Sequence, residues 1–220
     1  TEDKKKAAFH LERFVEQSGE QPDPEIYLKL ASIYESIKKY MEAEKYYNEY
    51  LRYKPEEGTT HYSLGYLAYF HTGNYTLAES SFNAALRLIR EDDFYRRAKS
   101  LEYLADMSYS NLKYKRSMEL YLNGIKYQDM INERIEQKKK ELAEINQKIN
   151  EMKSEVIYKQ DFNNFEEFEM LRDDQGKIET EIDSLKYQFR NMNPGKIRWN
   201  IAEIYTKTGN YEEAIKYYRE

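Results

Sequence analysis

The chain has 220 residues, of which 40% are hydrophobic and 34% charged, with a formal net charge of -5. That suffices for one or two compact domains, is too apolar for a disordered tail, and is too weakly charged for nucleic acid to be the main partner. The sequence contains no cysteine, which excludes disulfides, thiolate zinc sites and cysteine nucleophiles, and no apolar run approaches the roughly 20 residues a membrane-spanning helix needs.

The sequence opens at Thr1 without a Met and is read as a soluble segment of a larger protein. Abundant Lys, Ile, Asn and Tyr match AT-rich coding and a bacterial source. The compartment stays open between cytoplasm and periplasm. Residues 1–18, with Ala7, Leu11, Phe14 and Val15 at helical spacing, read as the second helix of a pair begun upstream. Pro22 and Pro24 then precede a unit of about 24–57. Its first helix reads Tyr27-x-x-Leu30-Ala31-x-x-Tyr34, its second Tyr40-x-x-Ala43-x-x-x-Tyr47, and Pro55 closes it.

The next unit, about 58–93, carries Tyr62 to Tyr69, then Gly73-Asn74-Tyr75-x-x-Ala78-x-x-x-Phe82. The third, about 97–128, carries Leu101-x-x-Leu104-Ala105, then Tyr114-x-x-Ser117-x-x-x-Tyr121. The small residue of the second helix recurs after 35 and then 39 residues, at Ala43, Ala78 and Ser117, so the second unit holds one extra residue. A last unit, 193–220, repeats the pattern with Ile201-Ala202-x-x-Tyr205 and Gly209-Asn210-Tyr211-x-x-Ala214-x-x-x-Tyr218, and is truncated. The small residues let two helices approach closely, and the aromatic ones fill the space toward the next unit. Gly73 and Gly209 are expected to end first helices in the left-handed conformation.

These motifs resemble the tetratricopeptide repeat family, over roughly residues 24–128 and 194–220. The third unit departs from the pattern with Leu112 for the turn glycine and Ser117 for the small alanine. The resemblance implies an all-α solenoid of helix-turn-helix units whose first helices line a groove for a peptide or partner helix. In this sequence that groove would present Leu28, Ser32 and Glu35, then Tyr66, Tyr69 and Phe70, then Lys99, Glu102, Asp106 and Tyr109. Members that grip the C-terminal carboxylate of chaperones use Lys, Arg and Asn on these helices. Leu28 and Ser32 stand where Lys and Asn would be needed and only Lys99 fits, so that clamp is not expected.

From Ile131 the apolar spacing changes to alternating four and three. One arm reads Ile131, Ile135, Lys138, Leu142, Ile145, Ile149, Met152, Val156, and the other Phe168, Leu171, Gln175, Ile178, Ile182, Leu185, Phe189, Met192. Sustained 3.5-residue spacing makes a narrow seam that neither arm buries alone. Residues 129–192 are therefore expected to fold back as a protruding antiparallel two-helix coiled coil, with Ile131 opposite Met192, Ile145 opposite Ile178 and the bend near Phe162. Charge agrees: the insertion holds 11 basic and 16 acidic residues, concentrated as a near-neutral arm beside an acidic one. Phe162 and Phe165 at the bend either plug the end of the seam or form an apolar tip for a partner.

No catalytic residue, metal site or cofactor is expected. His10, His61 and His71 lack metal-ligand spacing, Pro194-Gly195-Lys196 lacks the glycines of a phosphate loop, and no nucleophile has a base and an orienter. The sequence reads as a non-enzymatic scaffold whose groove and arm each contact protein partners. The alternatives are a homo-oligomerisation module, or a regulatory domain of an enzyme whose catalytic part lies elsewhere.

Overall fold

The computed structural model describes residues 2–17, 22–153 and 165–219, and among them every regular element is helical. In chain order these are α1 (Glu2–Gln17), α2 (Glu25–Ser36), α3 (Tyr40–Tyr53), α4 (Gly58–Leu67), α5 (Tyr75–Leu88), α6 (Phe94–Ser110), α7 (Tyr114–Lys153), α8 (Phe165–Asn191), α9 (Pro194–Lys207) and α10 (Tyr211–Arg219). A π turn, Ala68–Thr72, continues α4. The residues fall into two compact units, Thr1–Tyr121 and Leu122–Glu220, so α7 contributes to both.

The first unit is a helical-repeat stack. Helix α1 packs on α2, α2 on α3, α3 on α4, α4 on α5 and α5 on α6. Within each pair the helices meet at two buried small residues: Ala31 faces the pair through Ala43, and Ala105 through Ser117, each twelve positions apart. Ser117 is accommodated because its hydroxyl donates to the Ala105 carbonyl across the pair, at 2.9 Å.

The α4–α5 pair uses Gly65 with Ala78, thirteen positions apart. A Cβ on Gly65 would lie 2.9 Å from the Phe82 ring, so the bare glycine lets that buried ring seat against α4. The extra residue of this unit is taken up at the end of the first helix, where the backbone widens into the π turn.

The turns between paired helices share one device. Lys38, Gly73, Leu112 and Gly209 all have positive φ, at 63°, 68°, 59° and 81°, and each stands five residues before the small residue of the following helix. Gly73 and Gly209 take the expected left-handed conformation without strain, whereas Lys38 and Leu112 bear about 1 kcal/mol each. Two helix starts are capped by Asn or Asp: the side chains of Asn74 and Asp93 accept from the backbone N–H of Leu77 and Arg96.

In the second unit, α7 and α8 carry the two heptad stripes. Ile131, Ile135, Phe168, Ile178, Ile182 and Met192 are buried, and the other described stripe residues are half-buried between exposed ones. Lys138 Nζ reaches Glu181 Oε2 at 2.8 Å, Gln175 Nε2 donates to Asn146 Oδ1 at 2.9 Å, and Gln128 Nε2 donates to the Met192 carbonyl at 3.4 Å. Glu181 lies one turn from Leu185, the residue expected opposite Lys138, as befits a long polar side chain flanking a seam. Val156, Phe162 and the expected bend lie outside the described residues. Helix α9 starts with Pro194 at its first turn, Asn193 capping it, and packs on α10 through buried Ile201, Ala202 and Ala214.

Candidate partner-binding surfaces

Because the π turn gives the end of α4 a wider helical turn, it sets Tyr66, Tyr69 and Phe70 beside Tyr103 of α6. The ring centroids of Phe70 lie 4.6 Å from Tyr66, 4.8 Å from Tyr69 and 5.2 Å from Tyr103. Tyr103 in turn rests 5.2 Å from Phe82 in the core. Such offset and edge-on pairs add about 0.5–1.5 kcal/mol each beyond burial. Phe70 remains 49% exposed at the top of this cluster, and Tyr66 and Tyr69 are half-buried.

The charged candidates have a different fate. Lys99 and Glu102 are buried against each other, with Nζ 2.6 Å from Oε2. The ammonium also lies 4.8 Å from the Tyr103 ring centroid, within cation–π range. A buried ammonium beside a carboxylate is stable only as a pair. Both were expected on the groove face; neither is exposed, because the small residues of the pair bring α6 so close to its neighbours.

Glu35 accepts from the Tyr47 hydroxyl at 2.7 Å, and Asp106 accepts from the Tyr121 hydroxyl. Glu203 accepts from Tyr218 in the same way at 2.8 Å. These tyrosines hold the same repeat position, four residues after the small residue of the second helix. The candidate carboxylates therefore clamp the second helix of a pair to the first. A related clamp holds α1, where the Tyr34 and Tyr46 hydroxyls both donate to Glu12 Oε1, at 2.6 and 2.7 Å. Burial first, and then the acceptor carboxylate, push the Tyr34, Tyr46 and Tyr47 phenols well above their ordinary range. Tyr50 is pushed up to about 12 by burial and by Glu25 and Glu57.

The remaining candidates are partly covered. Leu28 packs against the core of the α2–α3 pair, Ser32 is exposed, and the Tyr109 ring lies 5.7 Å from Tyr114. A cleft of about 400 Å³ opens beside the aromatic cluster, between the start of α5 and the end of α6. Tyr69, Tyr75 and Met107 form its apolar walls, and Glu79, Ser110 and Asn111 its polar ones. Arg116 pairs with Glu79 at 2.8 Å. Phe165, at the start of α8, is 45% exposed; Phe162 lies outside the described residues.

Sequence reasoning missed Tyr103, Tyr75, Met107 and Gly65. The signal for Gly65 was present in the extra residue of the second unit, which moves the small position of α4 one place toward its start. His71 stacks on Tyr40 at 3.9 Å, and His61 Nε2 lies 2.9 Å from the Pro55 carbonyl. Among the described residues no group of His, Asp and Glu could hold a metal ion, and no helix is long and apolar enough to cross a membrane.

Repeated helix pairs closed by small residues and buttressed by aromatic ones define a helical-repeat protein of the kind that holds other proteins. Two family models described as Tetratricopeptide repeat match the chain, one over residues 28–95 and one over residues 195–220. Those two stretches carry tetratricopeptide repeats, a repeat whose families are generally scaffolds that bind protein partners. No curated protein matches it.

Among solved structures, the chain is similar to YrrB, described as a TPR protein with an unusual peptide-binding site. The two share 16% identity with a TM-score of 0.44, covering 96% of this chain and 89% of that one. It is also similar to MamA, at 14% identity and a TM-score of 0.41, covering 86% and 91%. A third similarity is to the human IFIT1 dimer with m7Gppp-AAAA, at 12% identity and a TM-score of 0.37, covering 100% of this chain and 45% of that one.

Proposed function

We propose that this chain is a non-catalytic adaptor with two protein-binding surfaces. In this reading, repeats over 1–128 and 193–220 hold one partner on the face of α2, α4 and α6, and an antiparallel coiled-coil arm over 129–192 contacts another. The observation that carries it is the half-exposed Phe70 held above Tyr66, Tyr69 and Tyr103. An aromatic side chain anchored by its neighbours and left half-exposed loses little freedom when a partner covers it. Nucleic acid is not the expected ligand, since the chain is mildly acidic. A chaperone carboxylate clamp is not expected either: Leu28 and Ser32 supply no charge, and the Lys99 ammonium is committed to Glu102.

The test places a photo-crosslinking amino acid at position 70 or 165 of the full protein in its native cells. Two different proteins, one from each position, support the two-surface reading. A second copy of this chain captured at both positions supports the homo-oligomer instead. Capture of a single enzyme at both favours the regulatory-domain alternative.

A further inference from the structure

The α4–α5 pair differs from the other pairs by one residue, and that residue lies beside the candidate binding face. Ala31 and Ala43, Ala105 and Ser117, and Ala202 and Ala214 are each twelve positions apart, whereas Gly65 and Ala78 are thirteen apart. The surplus is absorbed in the π turn Ala68–Thr72 rather than in the following loop, since Gly73 keeps its place five residues before Ala78. A π turn weakens regular helix geometry, and helices retain such turns mainly where they reposition a functional side chain. Here it places Tyr69 and Phe70 together on Tyr103, with centroids at 5.6 and 5.2 Å. Tyr69 also walls the 400 Å³ cleft.

The charges around this face are already engaged within the fold. Lys99 is paired with Glu102, Glu79 with Arg116, and Asp106 accepts from Tyr121. What the face offers a partner is aromatic carbon, one thioether and the small polar groups of Ser110 and Asn111. A partner segment carrying a charge here would give up its water for groups the fold already engages.

We infer that the residue inserted in the π turn is the specificity element of this face, which selects an extended peptide segment with an uncharged aromatic or aliphatic anchor seated in the cleft beside Tyr69. This rests on the groove reading above and adds to it the chemistry of the occupant and the backbone feature that selects it.

Random peptides displayed on phage are the probe, selected on the full chain. The expected result is enrichment of a Phe, Tyr, Trp, Leu or Met anchor. Affinity of the synthesised peptide should change less than about twofold between about 0.1 and 1 M salt, a range over which the Debye length falls from about 10 to 3 Å. Deleting Phe70 restores the twelve-residue spacing and should weaken binding at least about tenfold, with the helicity of the folded chain kept. Phe70→Ser keeps the chain length, so it decides the matter if the deletion does not fold; it too should weaken binding, and the bound peptide should shift the amide resonances of Tyr69, Tyr75, Met107 and Ser110.

Enrichment of charged anchors with steep salt dependence would overturn the inference while leaving the groove reading intact. Undiminished binding by the folded variants, or shifts confined to other helices, would do the same. If no peptide is enriched on the intact chain, the groove reading fails and this inference with it.

Discussion

The repeat pairs and the α7–α8 pair are both helix-on-helix, yet they bury their contacts by opposite means. In the repeats, glycine, alanine or serine at the crossing brings backbones close, and a large ring such as Phe82 or Tyr121 fills the remaining space. Tyrosine–carboxylate clamps then cross three of the contacts, at Tyr47, Tyr121 and Tyr218. Between α7 and α8 a narrow stripe of aliphatic residues is buried, flanked by exposed polar side chains and interrupted by Lys138 and Gln175. The first arrangement concentrates stability in a few interlocked side chains; the second spreads it along a seam where each residue touches less.

The sharpest break of that comparison is Phe82→Ala. It removes a ring with no exposure and should cost about 3–5 kcal/mol in denaturant unfolding. Ile178→Ala in the seam should cost about 2 kcal/mol, because its half-exposed neighbours can settle into the space. Equal losses would erase the distinction.

Next comes charge. Glu102→Ala leaves the Lys99 ammonium buried without its partner and should cost about 3 kcal/mol. Glu181→Ala removes one of the two carboxylates that half-buried Lys138 pairs with, and Glu141 remains at 3.0 Å, so it should cost no more than about 1 kcal/mol. A smaller effect has the opposite sign: Leu112→Gly relieves a left-handed φ of 59° at an exposed turn and should stabilise the first unit by about 1 kcal/mol.

At neutral pH the last effect is nil. The phenols of Tyr34, Tyr46, Tyr47, Tyr62 and Tyr103 are held above their ordinary value, chiefly by burial. Folding therefore favours their neutral form. That contribution is complete below about pH 10 and is lost as pH rises above it. All five lie in the first unit. Alkaline titration followed by hydrogen exchange should open α2–α6 before the α7–α8 seam; simultaneous opening would contradict the assignment.

Much of this was legible in the sequence, because small-plus-aromatic spacing and 3.5-residue spacing are local patterns. The left-handed turns at Gly73 and Gly209 follow from residue type alone, and the α7 and α8 stripes from periodicity. The tyrosine clamps were not legible: the carboxylate that Tyr121 meets is 15 residues back on another helix, and its choice depends on how the pair closes. The Lys99–Glu102 pair was misplaced for a related reason. Charged residues on a first helix read as groove surface, and only the close approach of neighbouring helices buries them. Gly65 was hidden by the π turn, since counting back from Gly73 along a regular helix places the small position at Tyr66 instead.

The central claim is that the repeats hold partners as a folded module in their own right, with the 129–192 segment a separate arm. Replacing residues 132–190 by a short linker in the full protein tests it most directly, read by circular dichroism and by crosslinking from position 70. The account predicts unchanged helicity per residue in the repeats, the same capture from position 70, and failure of the shortened chain to co-purify with the partner that position 165 captures in the intact protein. Unfolding of the repeats on that deletion would make the segment part of their core and contradict the account.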